Sequence, residues 1–229
     1  MRLLKINSRF LEVLTVSIAP EKISKYVLKG TTTIGVVCKD GVALATDTRA
    51  TMGYFIAHKH AKKVFQIDDH LAMTIAGAVG DAQAVVEILK ANSKLFRYEK
   101  GRPMPVVSAA RLVANILFSS RVAPLLLQAI VGGVDETGPH LYALDPLGSM
   151  TEEKCVSTGS GSPIAYGVLE TEFKEGMSVK EVVPILVRAV DTAMKRDAAS
   201  GDSFDVAFVT KEGYTELSED EKKIAVKAA

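Results

Sequence analysis

Gly30-Thr31-Thr32-Thr33-Ile34-Gly35 is the stretch of this chain best suited to chemistry. Scission in front of a threonine would leave one residue with both a hydroxyl nucleophile and a free α-amine. At neutral pH a hydroxyl needs a nearby base. An α-amine, with a pKa of roughly 7.7–8.0 in model peptides, is partly neutral there. It can take the hydroxyl proton, directly or through one water, and return it to a leaving amine. A cation beside the pair would lower both pKa values, and a carboxylate would have to keep that cation charged against burial. The oxyanion of acyl transfer needs backbone N–H donors, and glycine lets backbone approach a substrate closely. Asp47, Lys63 and Gly77 have the types these roles demand. Taken singly they also read as a turn residue, a surface charge and a turn glycine, and Thr-rich strings are common in strands. Three threonines in a row leave the scission point open. Gly30 favours the bond before Thr31, because it can fold its own carbonyl onto the Thr31 hydroxyl with no side chain in the way.

The elements that must position these residues are legible as alternating hairpins and helices. Thr33–Cys38, a Lys39-Asp40-Gly41 turn and Val42–Asp47 form a first hairpin, which carries Asp47 back toward Thr31. Val64–Ile67 and Leu71–Ala76 form a second, opened by Lys63 and closed by Gly77. Asp81 is the expected N-cap of a helix reaching about Tyr98. A second helical pattern follows Pro105, with Val106, Ala109, Val113 and Leu117 on one face. Leu126–Val134 and His140–Asp145 form a third hairpin. A short strand ends at Thr158, and Gly159-Ser160-Gly161-Ser162 leads into a helix. Ser178-x-x-Glu181 is a capping box that opens another, with Pro184 as a candidate kink. Asp205–Val209 and Tyr214–Leu217 form the last hairpin, and the charged tail from Ser218 to Ala229 is expected to fray. Hairpin connections and segregated helices predict an α+β fold, a four-layer αββα sandwich of two antiparallel sheets. No linker or repeat divides residues 31–217. Residues 1–30 lack periodicity and read as a removable leader or as an N-terminal strand or arm.

Composition narrows the function. The 229 residues are 48% hydrophobic and 24% charged, as in a globular chain with a sizeable core. A net charge of +1 and the absence of Trp argue against a nucleic-acid surface. No stretch approaches the apolar length of a membrane span. Glu12 interrupts the apolar run near the N-terminus, so a secretory signal is not expected and the chain reads as cytoplasmic. Cys38 and Cys155 read as buried structural thiols, although a disulfide between them stays open. His58, His60, His70 and His140 make no metal-ligand pattern, and no metal or cofactor is expected.

Further motifs accompany the threonine string: Ala45-Thr46-Asp47-Thr48-Arg49-Ala50-Thr51, Lys63-Val64-Phe65, Ala76-Gly77-Ala78-Val79-Gly80-Asp81-Ala82-Gln83, Asp145-Pro146-Leu147-Gly148-Ser149, Thr158-Gly159-Ser160-Gly161-Ser162 and Arg196-Asp197-Ala198-Ala199-Ser200-Gly201-Asp202. In order and spacing over residues 31–217, they resemble β-type subunits of the 20S proteasome core particle, archaeal forms most of all. The resemblance implies an N-terminal-nucleophile hydrolase fold and a threonine endopeptidase made by removing residues 1–30 from a catalytic domain of residues 31–229. It makes Thr31 the nucleophile and its freed amine the proton acceptor. Lys63 becomes the buried cation tied to Asp47, and Ser160, Asp197 and Ser200 the group that orients the amine and a water. The Gly77 N–H would serve the oxyanion, and Arg49 would brace the site. The family's P1 pocket falls on Ala50, Ala61, Phe65, Ile75 and Val79; none is charged, which implies hydrophobic P1 residues. Thr51, Gly77 and Val79 would hold substrate backbone as an added strand.

Implied partners are proteasome α subunits and other β subunits in stacked seven-membered rings, a cap or ATPase indirectly, and unfolded polypeptide as substrate. Leu125-Leu126-Leu127 could pack a neighbour if exposed. Two alternatives remain: a β subunit that fills a ring without cutting, and another hydrolase of this type, such as the bacterial two-ring peptidase or a small-molecule amidase. The Gly-Ser-Gly-Ser and Arg-Asp-x-x-Ser-Gly pieces favour the proteasome.

Overall fold

The computed structural model describes residues 30–229; the expected leader, apart from Gly30, lies outside them. Twelve strands and five helices are formed by the described residues. Strands β1 (Thr33–Cys38), β2 (Gly41–Asp47), β10 (Cys155–Thr158), β11 (Phe204–Thr210) and β12 (Gly213–Glu216) form one sheet in the order β10-β1-β2-β11-β12. Strands β5 (Val64–Asp68), β6 (Leu71–Gly77), β7 (Leu127–Asp135), β8 (Gly138–Leu144) and β9 (Met150–Glu152) form the second in sequence order. A small hairpin, β3 (Ala50–Met52) with β4 (Phe55–His58), stands apart. Every pairing is antiparallel.

Period-two alternation assigns each strand's faces to different layers. On β2, Val42 and Leu44 point between the sheets, where they meet Ile130 and Leu141. Ala43 and Ala45 point the other way, into a core shared with helices α3 (Ser162–Glu172) and α4 (Val179–Arg196). Both faces are covered, so β2 is buried throughout and reads as a continuous apolar run. On the second sheet, Met73, Ile75, Leu127 and Val131 pack under α1 (Val79–Lys100) and α2 (Val106–Ser119). The result is the expected αββα sandwich.

Several local expectations need correction. Helix α1 starts at Val79 with Ala78 as N-cap, not Asp81. Asp81 lies in the first turn and accepts the Leu126 N–H at 2.9 Å, which ties the helix start to the residue that leads into β7. The tail is ordered as helix α5 (Glu219–Ala228). Its Ser218/Glu221 capping box, with Lys222 bonded to Asp205 at 2.8 Å and Ala225 buried, outweighs the charge that suggested fraying. Helix α4 has the expected Ser178/Glu181 capping box and continues through Pro184. Strands β3, β4 and β9 were not anticipated. Leu127 is fully buried and Leu125 packs on the core beneath α1, so the three leucines do not form an exposed patch. Both cysteines are free thiols, with Cys38 buried and Cys155 only half-buried; burial pushes both up to about 12. Among the described residues, no group of side chains could hold a metal ion, and no helix is long and apolar enough to cross a membrane.

Candidate active site

The β1–β2 register pairs Thr33 with Thr46, so the chain entering β1 lies beside the end of β2. Thr32 and Asp47 extend that pairing. The Asp47 N–H donates to the Thr32 carbonyl at 3.1 Å, and the Thr32 N–H donates to Asp47 Oδ1 at 2.9 Å. Asp47 is fully buried. Its Oδ1 also accepts from Lys63 Nζ at 2.7 Å, and its Oδ2 from the Gly201 and Arg49 N–H groups at 2.9 and 3.1 Å. Backbone donors thus share the task of stabilising a carboxylate removed from water. Lys63 stands immediately before β5 and is 5% exposed. Burial pulls its pKa below the usual lysine value, and the Asp47 carboxylate opposes that pull.

Thr31 is buried, and its hydroxyl donates to the carbonyl oxygen of Gly30. Lys63 Nζ reaches the same oxygen at 3.5 Å. The Thr31 hydroxyl and the Lys63 ammonium therefore converge on one carbonyl, that of the bond preceding Thr31. The Thr31 N–H donates to Ser160 Oγ at 3.3 Å, and Ser160 donates onward to Asp197 Oδ2 at 2.6 Å. Ser200 also donates to Asp197 Oδ2 at 2.6 Å, so its oxygen accepts from the Thr32 hydroxyl 2.8 Å away. Two hydroxyl relays end on one carboxylate oxygen. Asp197 can serve both because it caps the end of α4, where the chain turns out of the helix.

Two glycines with positive φ permit close backbone approaches, one of them onto Thr31. Gly159 has φ +91°, and a Cβ there would lie 2.1 Å from the Thr31 carbonyl oxygen. Gly77 ends β6 with φ +134°, and a Cβ there would lie 2.0 Å from the Leu126 carbonyl oxygen. Arg49 braces the loop that follows α4. Its guanidinium donates to Asp202 Oδ2 at 2.7 Å and to the Ala198 carbonyl at 2.9 Å. The Asp202 carboxyl is held low, chiefly by that bond to Arg49.

Beside Thr31 opens a cavity of about 460 Å³. Residues 27–209 match the family model described as proteasome subunit. The chain belongs to the proteasome subunit family. It is 51% identical over 197 residues to the proteasome subunit beta of Methanosarcina barkeri, covering 86% of this chain and 93% of that one. To the proteasome subunit beta of Methanothermobacter thermautotrophicus it is 52% identical over 198 residues (86% and 94%). To that of Methanocaldococcus vulcanius it is 54% identical over 196 (85% and 88%). It is an archaeal-like proteasome subunit of the β type.

In this β-type subunit the cavity gathers the expected P1 positions Ala50, Ala61, Phe65, Ile75 and Val79 with Thr31, Lys63 and Gly77. Thr51 does not line it; it is buried on β3. Asp197, Ser160 and Ser200 reach Thr31 and Thr32 through the hydroxyl relays. Several contributors were missed by sequence reasoning. Thr32 bonds both Asp47 and Ser200, and Gly161 donates its N–H to the Thr31 carbonyl at 3.2 Å. Thr48 donates its hydroxyl to the Lys59 carbonyl at 2.8 Å and accepts the Ala61 N–H at 2.8 Å. The side chains of His58, Lys59, His60 and Lys62 bordering the cavity were also missed. Glycines 159 and 161 stood in the motif, but as a lead into α3; the others act through hydrogen bonds that many residue types can make.

Proposed function

We propose that this subunit is a threonine endopeptidase that frees its own nucleophile by cleaving the Gly30–Thr31 bond. The observation that carries the reading is the convergence of the Thr31 hydroxyl and the Lys63 ammonium on the Gly30 carbonyl. In the uncleaved chain the Thr31 oxygen attacks the Gly30 carbonyl carbon. Negative charge develops on the carbonyl oxygen that faces Lys63. The carbon–nitrogen bond then breaks, and the hydroxyl proton passes through solvent to the departing Thr31 nitrogen. Water hydrolyses the resulting ester, leaving a carboxylate on Gly30 and a free amine and hydroxyl on Thr31. Residues 1–30 depart and residues 31–229 remain as the catalytic domain.

In the mature form the Thr31 amine accepts the hydroxyl proton as the oxygen attacks a substrate carbonyl. The oxyanion is stabilised by the Gly77 N–H. The amine returns the proton to the leaving peptide nitrogen, and water releases the acyl product. Lys63, kept protonated by Asp47, lowers the pKa of hydroxyl and amine together. Ser160, held by Asp197, fixes the nitrogen that becomes the amine, and Ser200 fixes Thr32 beside it. The apolar floor of the cavity favours a large hydrophobic P1 side chain through burial, at roughly 25 cal/mol per Å². Thr51, Gly77 and Val79 pair with the substrate backbone, Thr51 by its main chain because its side chain is buried. The substrate is unfolded polypeptide, the setting is the cytoplasm, and the subunit works in stacked seven-membered rings with α subunits and other β subunits, fed by a cap or ATPase.

Thr31→Ala and Thr31→Ser test this together in assembled particles. The serine variant keeps a hydroxyl and should still shed residues 1–30 and cleave peptides. The alanine variant should retain the leader and lose peptide hydrolysis. Hydrolysis surviving in the alanine particle would place the chemistry elsewhere.

A further inference from the structure

The cavity beside Thr31 carries an uneven charge. Its floor is apolar, but its mouth is bordered by His58, Lys59, His60 and Lys62, all exposed. No carboxylate lines the cavity among the described residues. The carboxylates nearby are engaged: Asp47 with Lys63 at 2.7 Å, Glu216 with Lys62 at 2.6 Å and Asp202 with Arg49 at 2.7 Å. His60 and Lys62 also border a neighbouring polar recess that contains Asp205 and Glu219, and both of those bond Lys222, at 2.8 and 2.7 Å. Lys59 is different. It forms no ion pair among the described residues, and its charge reaches Asp202 only as a minor influence behind Arg49.

The backbone beneath these side chains is fixed. Buried Thr48 bonds the Lys59 carbonyl through its hydroxyl and the Ala61 N–H through its own carbonyl, each at 2.8 Å. Lys59 and His60 therefore project from an anchored segment at the edge of an apolar hole. With a net charge of only +1, this local excess is a feature of the site rather than of the whole chain.

We propose that this mouth selects peptides carrying an acidic side chain beside the apolar residue that enters the cavity, with Lys59 the main determinant. The proposal rests on reading the cavity as the substrate pocket of Thr31. Two unit charges about 7 Å apart in water change a binding constant by roughly threefold, and the effect fades with added salt.

The test uses assembled, processed particles and peptides that share one large apolar P1 residue. Glu, Gln or Lys occupies each of the two preceding positions in turn. At low ionic strength kcat/KM should fall in the order Glu, Gln, Lys, by roughly threefold per step at one of the two positions. The spread should collapse toward unity near 1 M salt, where screening reaches about 3 Å. In particles carrying Lys59→Glu the order should reverse; each ratio is internal to one particle, so a loss of folded material cancels. Should that variant fail to assemble, the wild-type salt series decides. Equal rates for the three peptides at both positions, or an order indifferent to salt, would overturn the proposal and leave the Thr31 chemistry standing. Failure to cleave all three would instead overturn the reading of the cavity on which it rests.

Discussion

Strand β5 is preceded by Lys63 and ends in Asp68, and the two ends use their charge differently. At its start, Lys63 is 7% exposed in its side chain and pairs with Asp47, which is wholly buried. At its finish, Asp68 pairs at 2.6 Å with Arg97, whose side chain is 41% exposed. Asp68 also accepts from Ser93 on α1 at 2.9 Å, and its carboxyl is held low by hydrogen bonds and by Arg97, in spite of burial. The second pair is a strap between helix and sheet, with its cation half in water. The first is sealed, its carboxylate bonded to backbone from three directions. Replacing a buried ion pair by apolar residues of similar volume often leaves a protein equally or more stable. On the function proposed above, the Asp47–Lys63 pair serves less as a brace than as a fixed field beside the Gly30 carbonyl.

The widest separation between the two ends should appear in catalysis. Lys63→Ala should lower peptide hydrolysis by roughly 100-fold or more, the scale of removing one preorganised electrostatic group. Arg97→Ala should leave it within about twofold. Comparable losses from the two variants, measured as kcat/KM on one peptide, would erase the distinction drawn here.

Stability should separate them less, and in a pH-dependent way. Asp47→Asn strands the Lys63 charge in the interior and should cost about 3–5 kcal/mol. Asp68→Asn should cost about 1 kcal/mol or less at neutral pH, because Arg97 is screened by solvent. The folded Asp68 pKa lies below its unfolded value, so its contribution is complete above roughly pH 4 and is lost as the pH falls through the folded value. Denaturant melts of wild type and Asp68→Asn should therefore differ most at neutral pH and converge in acid. A gap that widens in acid would give the shift the opposite sign.

The same contrast explains what could be read from the sequence. Thr31, Asp47, Lys63 and Gly77 stood out because the chemistry demands those residue types, and the β1–β2 and β5–β6 hairpins that carry them have plain alternation. The sandwich followed from the order of hairpins and helices. Thr32, Thr48 and Gly161 stood in the motifs without these roles, because they act through backbone groups or hydroxyls whose partners only the fold brings near. Lys59 and its neighbours read as an unremarkable polar loop until the fold set them around an apolar cavity. Ser218-x-x-Glu221 carried the same capping signal as Ser178-x-x-Glu181, but the charges around it hid helix α5. Asp81 has the type of an N-cap, yet its carboxylate serves Leu126 instead.

Intact mass of the subunit recovered from active particles bears most directly on the role given to Thr31. A chain beginning at Thr31, with the 1–30 segment gone, is the expected result, and Thr31→Ala particles should yield the full-length mass. Full peptidase activity in particles whose every β-type chain still carries residues 1–30 would contradict the account, because Thr31 would then have no free amine to act as its base.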